Sequence, residues 1–223
     1  MTMRIRRAAW QAALLVSVPV VGACGSSAPA ASGSAGAPRP QGAAAASDTT
    51  GRNLVPPGYG SLRQDDIAIK TQLQSTLVRV LPLDEAVIRL LSPDSYRALR
   101  ELKDGKRAQI ASLAERHNVR EPSLWYVSYY GLQPESRFSA TDVVINSAGR
   151  EYRPLEFIPL SAGFRDQKVR QRETQSAIYL YEDGPNPDQA LAVTVEGVPN
   201  AAWESILRTV ERERAAIRSR VPK

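Results

Sequence analysis

The residues of this 223-residue chain whose chemistry deserves first weighing are one thiol, one histidine, two groups of carboxylates and several tyrosines. Cys24 is the only cysteine and His117 the only histidine, so neither an intrachain disulfide nor a histidine-rich metal centre can be built. As a general base His117 would need an activated serine and an orienting acid, and no GxSxG-type context surrounds any serine. It reads instead as a surface residue at a helix C-terminus, where the dipole favours its charged form. Asp65 and Asp66 are neighbours on an expected strand, so their side chains point to opposite faces and do not pair as acid and base. Glu182-Asp183-Gly184-Pro185-Asn186-Pro187-Asp188 carries the oxygen ligands of a calcium loop but lacks the EF-hand order and its closing glutamate. A hairpin turn is the plainer reading. The residues therefore assign no catalytic group, no metal and no cofactor.

Two features suit binding. If Ile178 and Leu180 face a core, Tyr179 and Tyr181 turn outward; if Trp125, Val127 and Tyr129 face it, Tyr126 and Tyr130 turn outward. Tyr126, Tyr130, Tyr179 and Tyr181 would then form a flat aromatic platform for a glycan or peptide. The alternative is that a helix covers that face. The second feature is the basic tail, Arg208, Arg212, Arg214, Arg218, Arg220 and Lys223, which suits anionic headgroups or an acidic partner. Interspersed Glu204, Glu211 and Glu213 favour an ordinary solvated face.

The N-terminus places all of this. Arg4, Arg6 and Arg7 precede an apolar run, Ala12 to Val21, broken by Ser17 and Pro19. A spanning helix needs roughly 20 apolar residues, so this run is too short to anchor the mature protein. Val21-Gly22-Ala23-Cys24 resembles the lipobox of bacterial lipoproteins. That resemblance implies cleavage before Cys24, a diacylglycerol thioether on its sulfur and an acyl group on the new N-terminus. Residues 1–23 are then a signal peptide, and the partner of Cys24 is a lipid bilayer. A plain secretory signal followed by a coincidental cysteine is the competing reading. By analogy with the same family, Gly25 in place of an aspartate favours the outer membrane, facing the periplasm, if the cell has two membranes. Otherwise the outer face of the cytoplasmic membrane is expected.

The net charge is +6, of which Arg4, Arg6 and Arg7 supply three, so the mature chain sits near +3. An exported protein with so little excess charge is not read as a nucleic-acid binder. Residues 24–53 are almost entirely Ala, Gly, Ser and Pro and cannot bury enough surface to offset ordering, so they read as a disordered linker with a span of roughly 30 Å. Residues 54–223 are long enough for one domain with its own core.

That domain reads as mainly β, of the α+β kind. Ile67 to Gln74 alternate as a half-buried strand, and Thr76 to Leu81 extend again. A helical insertion follows over 83–118, opened by Asp84 and by Ser92-Pro93 and interrupted at Asp104-Gly105. Further strands are expected at 124–130, 138–146, 150–158, 169–172, 177–182 and 190–196, with turns at Asn146-Ser147-Ala148-Gly149 and at 183–187. A C-terminal helix over 200–220, capped by Asn200, carries Trp203, Ile206, Leu207, Val210 and Ile217 on one stripe. The pattern loosely resembles immunoglobulin-like extracytoplasmic domains, a β-sandwich here with a helical insertion after the first strands. The expected role is a non-enzymatic binding or assembly module for an envelope protein or cell-wall polymer. Two alternatives stand beside it: a glycan-active hydrolase with two acids roughly 5–10 Å apart in a deep pocket, and a purely structural spacer.

Overall fold

The structure, a computed structural model, describes residues 54–220. The expected signal peptide, Cys24, the expected linker and Lys223 lie outside the described residues. The domain is mainly β, with antiparallel sheets and a C-terminal helix. Its strands are β1 (Ile69–Gln72), β2 (Thr76–Pro82), β3 (Ser123–Gly131), β4 (Glu135–Arg137), β5 (Val143–Ser147), β6 (Arg150–Tyr152), β7 (Glu156–Pro159), β8 (Lys168–Arg170), β9 (Thr174–Tyr181), β10 (Leu191–Val195) and β11 (Val198–Asn200). Helices α1 (Glu85–Ile88), α2 (Pro93–Gly105) and α3 (Arg107–Arg116) separate β2 from β3, and α4 (Trp203–Arg220) ends the domain.

Five strands form one sheet in the order β1-β2-β3-β9-β7; four form a second, β11-β10-β5-β6. β4 and β8 make a separate two-stranded ribbon. Register explains which residues meet. Ile69, Val80, Val127, Ala177 and Pro159 line up across the first sheet, and the next row holds Pro82, Trp125, Tyr179 and Phe157. These rows look toward the second sheet, whose Val143, Ile145, Val193 and Val195 are fully buried. The Tyr181 hydroxyl ties the two sheets by donating to the Val143 carbonyl at 2.9 Å.

The opposite face of the five-stranded sheet carries Leu81, Tyr126, Ile178 and Ile158 in one row. Over its Leu124 end lie α2 and α3: α3 contacts β7, and Ile110 shares a cleft with Leu124. Strands β3 and β9 are thus enclosed on both sides for much of their length.

Local chemistry sets the ends of the elements. Asp84 caps α1, its carboxylate accepting from the Ala86 amide at 2.8 Å. α2 runs through Gly105, and Lys106 alone divides it from α3, one residue past the break expected at Asp104-Gly105. Ala148-Gly149 and Glu196-Gly197 are two-residue hairpin loops with positive φ at both positions, the geometry that matches strand twist. Asn200 accepts from the Ala202 amide at 2.9 Å just before α4.

Several expected strands differ. The stretch 150–158 divides around Pro154 into β6 and β7, which belong to different sheets. Residues 138–142 are outside any strand, while the short β4 and β11 carry no alternation long enough to read.

The segment 54–62 is a strap pinned at several points. Leu62 bridges Leu91, Arg89 donates to the Val55 carbonyl, and the buried Glu213 of α4 accepts from both the amide and the hydroxyl of Ser61 at 2.9 Å. Gly60 is required here: a Cβ would sit 2.2 Å from the Leu90 carbonyl.

Trp203 fastens α4. It is fully buried, meets Trp125 edge-on at 6.3 Å between ring centroids, and donates from Nε1 to the Pro187 carbonyl at 3.1 Å. Trp203→Ala is expected to destabilise the domain by about 3–5 kcal/mol, whereas Ile206→Ala, at a half-buried position of the same helix, costs visibly less. Denaturant midpoints of the two variants check the order; equal losses would show that Trp203 is not the fastener.

Candidate functional site

The structure corrects the tyrosine platform. Tyr179 and Tyr181 are fully buried, not outward, because register places Tyr179 opposite Trp125 on the face that meets the second sheet. Tyr126 and Tyr130 do lie on the other face, half-buried, with Ser128 between them. Four rings therefore do not share a surface. What remains outside is a pair of tyrosines roughly 13 Å apart along β3.

The inner tyrosines form a polar seam inside an apolar core. Tyr129 and Tyr179 share a hydroxyl hydrogen bond of 3.1 Å, and Tyr129 stacks on Phe138 at 4.0 Å. Phe164 packs among Tyr129, Phe138, Phe157 and Tyr179. Burial raises the pKa of Tyr129, Tyr179 and Tyr181 well above the ordinary phenol value. Their geometry is that of core hydrogen bonding, with no route for a ligand.

The other sequence candidates are spread apart. Asp65 and Asp66 lie in a 3-10 turn, not on a strand. Asp65 pairs with Lys70 at 3.2 Å and with Arg79, while Asp66 accepts from the Arg63 amide at 2.7 Å. His117 is exposed and ends α3. In the 182–188 loop the oxygens are already engaged: Glu182 with Arg150 at 2.6 Å, Asn186 with the Asp188 amide, Asp188 with Arg214 at 2.7 Å. Among the described residues no group of three or more His, Cys, Asp or Glu is placed to hold a metal ion.

The basic tail is partly structural. Arg214 reaches Asp188 and the Ala86 carbonyl, and Arg220 reaches Glu213 and the Tyr59 carbonyl. Arg212 bonds its own helix at Arg208 and Thr209.

Besides the Ile110–Leu124 cleft, three further open clefts bear on a candidate site. One, of about 390 Å³, lies between the strap and α2 and includes Pro57, Pro93, Tyr96, Arg100 and Asp104. Part of its polar lining is engaged within the protein. Arg100 donates to the Tyr96 hydroxyl at 2.7 Å, and Glu85 accepts from Lys103 at 2.7 Å and from Arg89 at 3.1 Å. A second, of about 210 Å³, sits on the outer face of the four-stranded sheet and is lined by Asp142, Glu151, Arg153 and Glu196. The acids lie on an open strand surface, and Glu196 is already bonded to the Ser139 amide at 2.8 Å. A third runs beside Arg208 and Arg212 on α4.

The strand expected at 169–172 is present as β8, but sequence reasoning missed β4 and so the β4–β8 ribbon. The ribbon's outward face carries Arg137, Lys168 and Arg170, all exposed, over the buried Ser136 and Val169.

No protein-family model matches the chain, and neither a curated protein nor a solved structure matches it.

Two titrations test the interior. Burial opposes the charge of Glu85, but Lys103 and Arg89 outweigh it and hold its pKa below the ordinary glutamate value. A depressed folded pKa means the stabilisation is present above the unfolded value and is lost as pH falls through the folded one. Glu85→Gln should therefore flatten the acid limb of the stability profile; an unchanged acid limb rejects the network. For Tyr129, Tyr179 and Tyr181 the sign is opposite. Stability is full below the unfolded phenol value of about 10 and declines as pH rises above it. The phenolate absorbance of Tyr129, Tyr179 and Tyr181 should rise only together with loss of the fold, followed by circular dichroism; ionisation of these three in the folded domain would reject the buried seam.

Proposed function

We propose that this chain is a membrane-anchored extracytoplasmic lipoprotein of the bacterial envelope, whose domain works as a non-enzymatic binding or assembly module. The observation that carries the reading is the order of basic residues, short apolar run, small residues and sole cysteine that ends at Val21-Gly22-Ala23-Cys24. Among the described residues no helix is long and apolar enough to cross a membrane, so the reading places attachment at the acyl chains. The two stacked antiparallel sheets, with fully buried Trp125 on a central strand, support an immunoglobulin-like sandwich as the finer description of the domain.

Binding is favoured over catalysis because the engaged charges of the domain serve its own packing, and its clefts are open surfaces. The acids beside Arg153 keep a glycan-active enzyme as the second reading. Turnover of glycan strands by the wild-type domain, lost in Glu151→Gln, would replace the first reading with the second.

Cys24→Ser tests the anchor. The wild-type mature chain should begin at Cys24 with acyl chains in its N-terminal peptide mass and sediment with membranes. The variant should keep residues 1–23 uncleaved by the lipoprotein signal peptidase and carry no diacylglycerol. A mature wild-type chain without lipid, recovered in the soluble fraction, would end the proposal.

A further inference from the structure

Many cations of this domain are paired: along α2 and α4 and at the start of α3, Arg97, Arg107, Arg100, Arg214 and Arg220 each face a carboxylate within ion-pair distance. On the β4–β8 ribbon the situation differs. Arg137, Lys168 and Arg170 are exposed and have no carboxylate partner among the described residues.

Their placement is unfavourable for the fold alone. Arg137 stands directly opposite Lys168 across the ribbon, a like-charge cross-strand pair of the destabilising kind. Arg170 is opposite Glu135, yet the two form no ion pair. Opposed residues lie about 5 Å apart and alternate residues about 7 Å apart, so three cationic side chains rise from one small area. Exposed Arg172 and Arg165 flank them, each next to an exposed acid, Glu173 and Asp166.

The backbone under these cations is held firmly. The buried Ser136 hydroxyl donates to the Ser75 carbonyl at 2.7 Å. The amide of Arg172 donates to Gly131, and that of Gly131 donates to Glu173. A Cβ at Gly131 would lie 2.1 Å from the Arg170 carbonyl, which is why glycine ends β3 there. The cations therefore stand on a fixed base, and presenting them together to a ligand costs little ordering.

Position adds a direction. The ribbon joins the Gly131 end of β3, whereas Leu83 and α1, to which the strap is pinned, meet the Leu124 end. Those ends are separated by roughly 25 Å of strand. The surface lies far from the point where the chain enters the domain at residue 54.

We propose that the outward face of the β4–β8 ribbon is a docking surface for a phosphate-bearing envelope polymer. Phosphate fits better than carboxylate because it offers three acceptor oxygens against two, and a phosphomonoester brings close to two charges to three clustered cations. A polymer fits because cations about 5–7 Å apart on one face can hold successive phosphates of a single chain, each one held raising the local concentration of the next. The idea rests on the envelope location argued above, and it gives that module a ligand class.

The test uses the full mature protein purified in neutral detergent, with inorganic polyphosphate as the probe. Polyglutamate of matched charge and phosphatidylglycerol vesicles are the comparison arms. Polyphosphate should bind most tightly, with affinity falling steeply as salt is added. Lys168→Glu, which sets an acid opposite Arg137, should weaken polyphosphate binding about tenfold or more while leaving the thermal midpoint unchanged or raised. That combination separates a binding role from a structural one. Arg97→Gln, which removes a cation already paired with Asp94, should bind as the wild type does. Should Lys168→Glu lower the midpoint, Arg170→Gln decides by the same comparison. Unchanged binding in the ribbon variants, or equal binding of polyglutamate or vesicles, overturns the proposal. The N-terminal peptide mass reads acylation separately. A lipidated protein that ignores polyphosphate defeats the ribbon alone, and an unlipidated one that binds it defeats only the anchor.

Discussion

The pairing of β3 with β9 is the constraint on which the domain depends. Their register, Trp125 opposite Tyr179 and Val127 opposite Ala177, puts two aromatic rings and two small or branched side chains on one surface. That surface needs a partner, and the four-stranded sheet with Trp203 of α4 supplies it. The opposite surface carries Ile178 and Leu180 and needs one as well, which the α2–α3 layer supplies. A central strand pair buried on both sides draws a layer of structure onto each face, and the insertion after β2 is the layer on one of them.

Polar groups inside this arrangement are matched locally. The Tyr129–Tyr179 hydroxyl pair and the Tyr181 bond to Val143 leave large aromatic bodies in apolar packing while their tips find acceptors. Glu85 is handled in the same way at the helical layer, by Lys103 and Arg89. Glu213 does it for the strap, using Ser61 and Arg220. Each of these carboxylates joins segments distant in the chain, so charge here acts as a fastener between elements.

Against that economy the ribbon stands out. Near the strap and on α4, Arg214 and Arg220 are paired with carboxylates, yet at the far end of β3 Arg137 and Lys168 are set side by side and left to solvent. A fold optimised for its own stability alone would place a carboxylate or a neutral residue opposite Arg137. On the proposed reading, packing and recognition occupy separate parts of the domain.

The amino-acid sequence by itself determined the local features: the Asp84 cap, the break next to Asp104-Gly105, the Ala148-Gly149 turn, the Asn200 start of the last helix and the inward set Trp125, Val127 and Tyr129. Each depends on residues a few positions apart, where spacing and conformational preference are decisive. It did not determine which way Tyr179 and Tyr181 point. Along Ala177-Ile178-Tyr179-Leu180-Tyr181 every residue is apolar enough to be buried, so no alternation marks the inner face, and only pairing with β3 set it. Pro154 likewise reads as part of one extended stretch, and only the packing of two sheets shows that β6 and β7 part company there. The opposition of Arg137 and Lys168 spans a gap of more than thirty residues, and a juxtaposition of that kind exists only once the chain has folded.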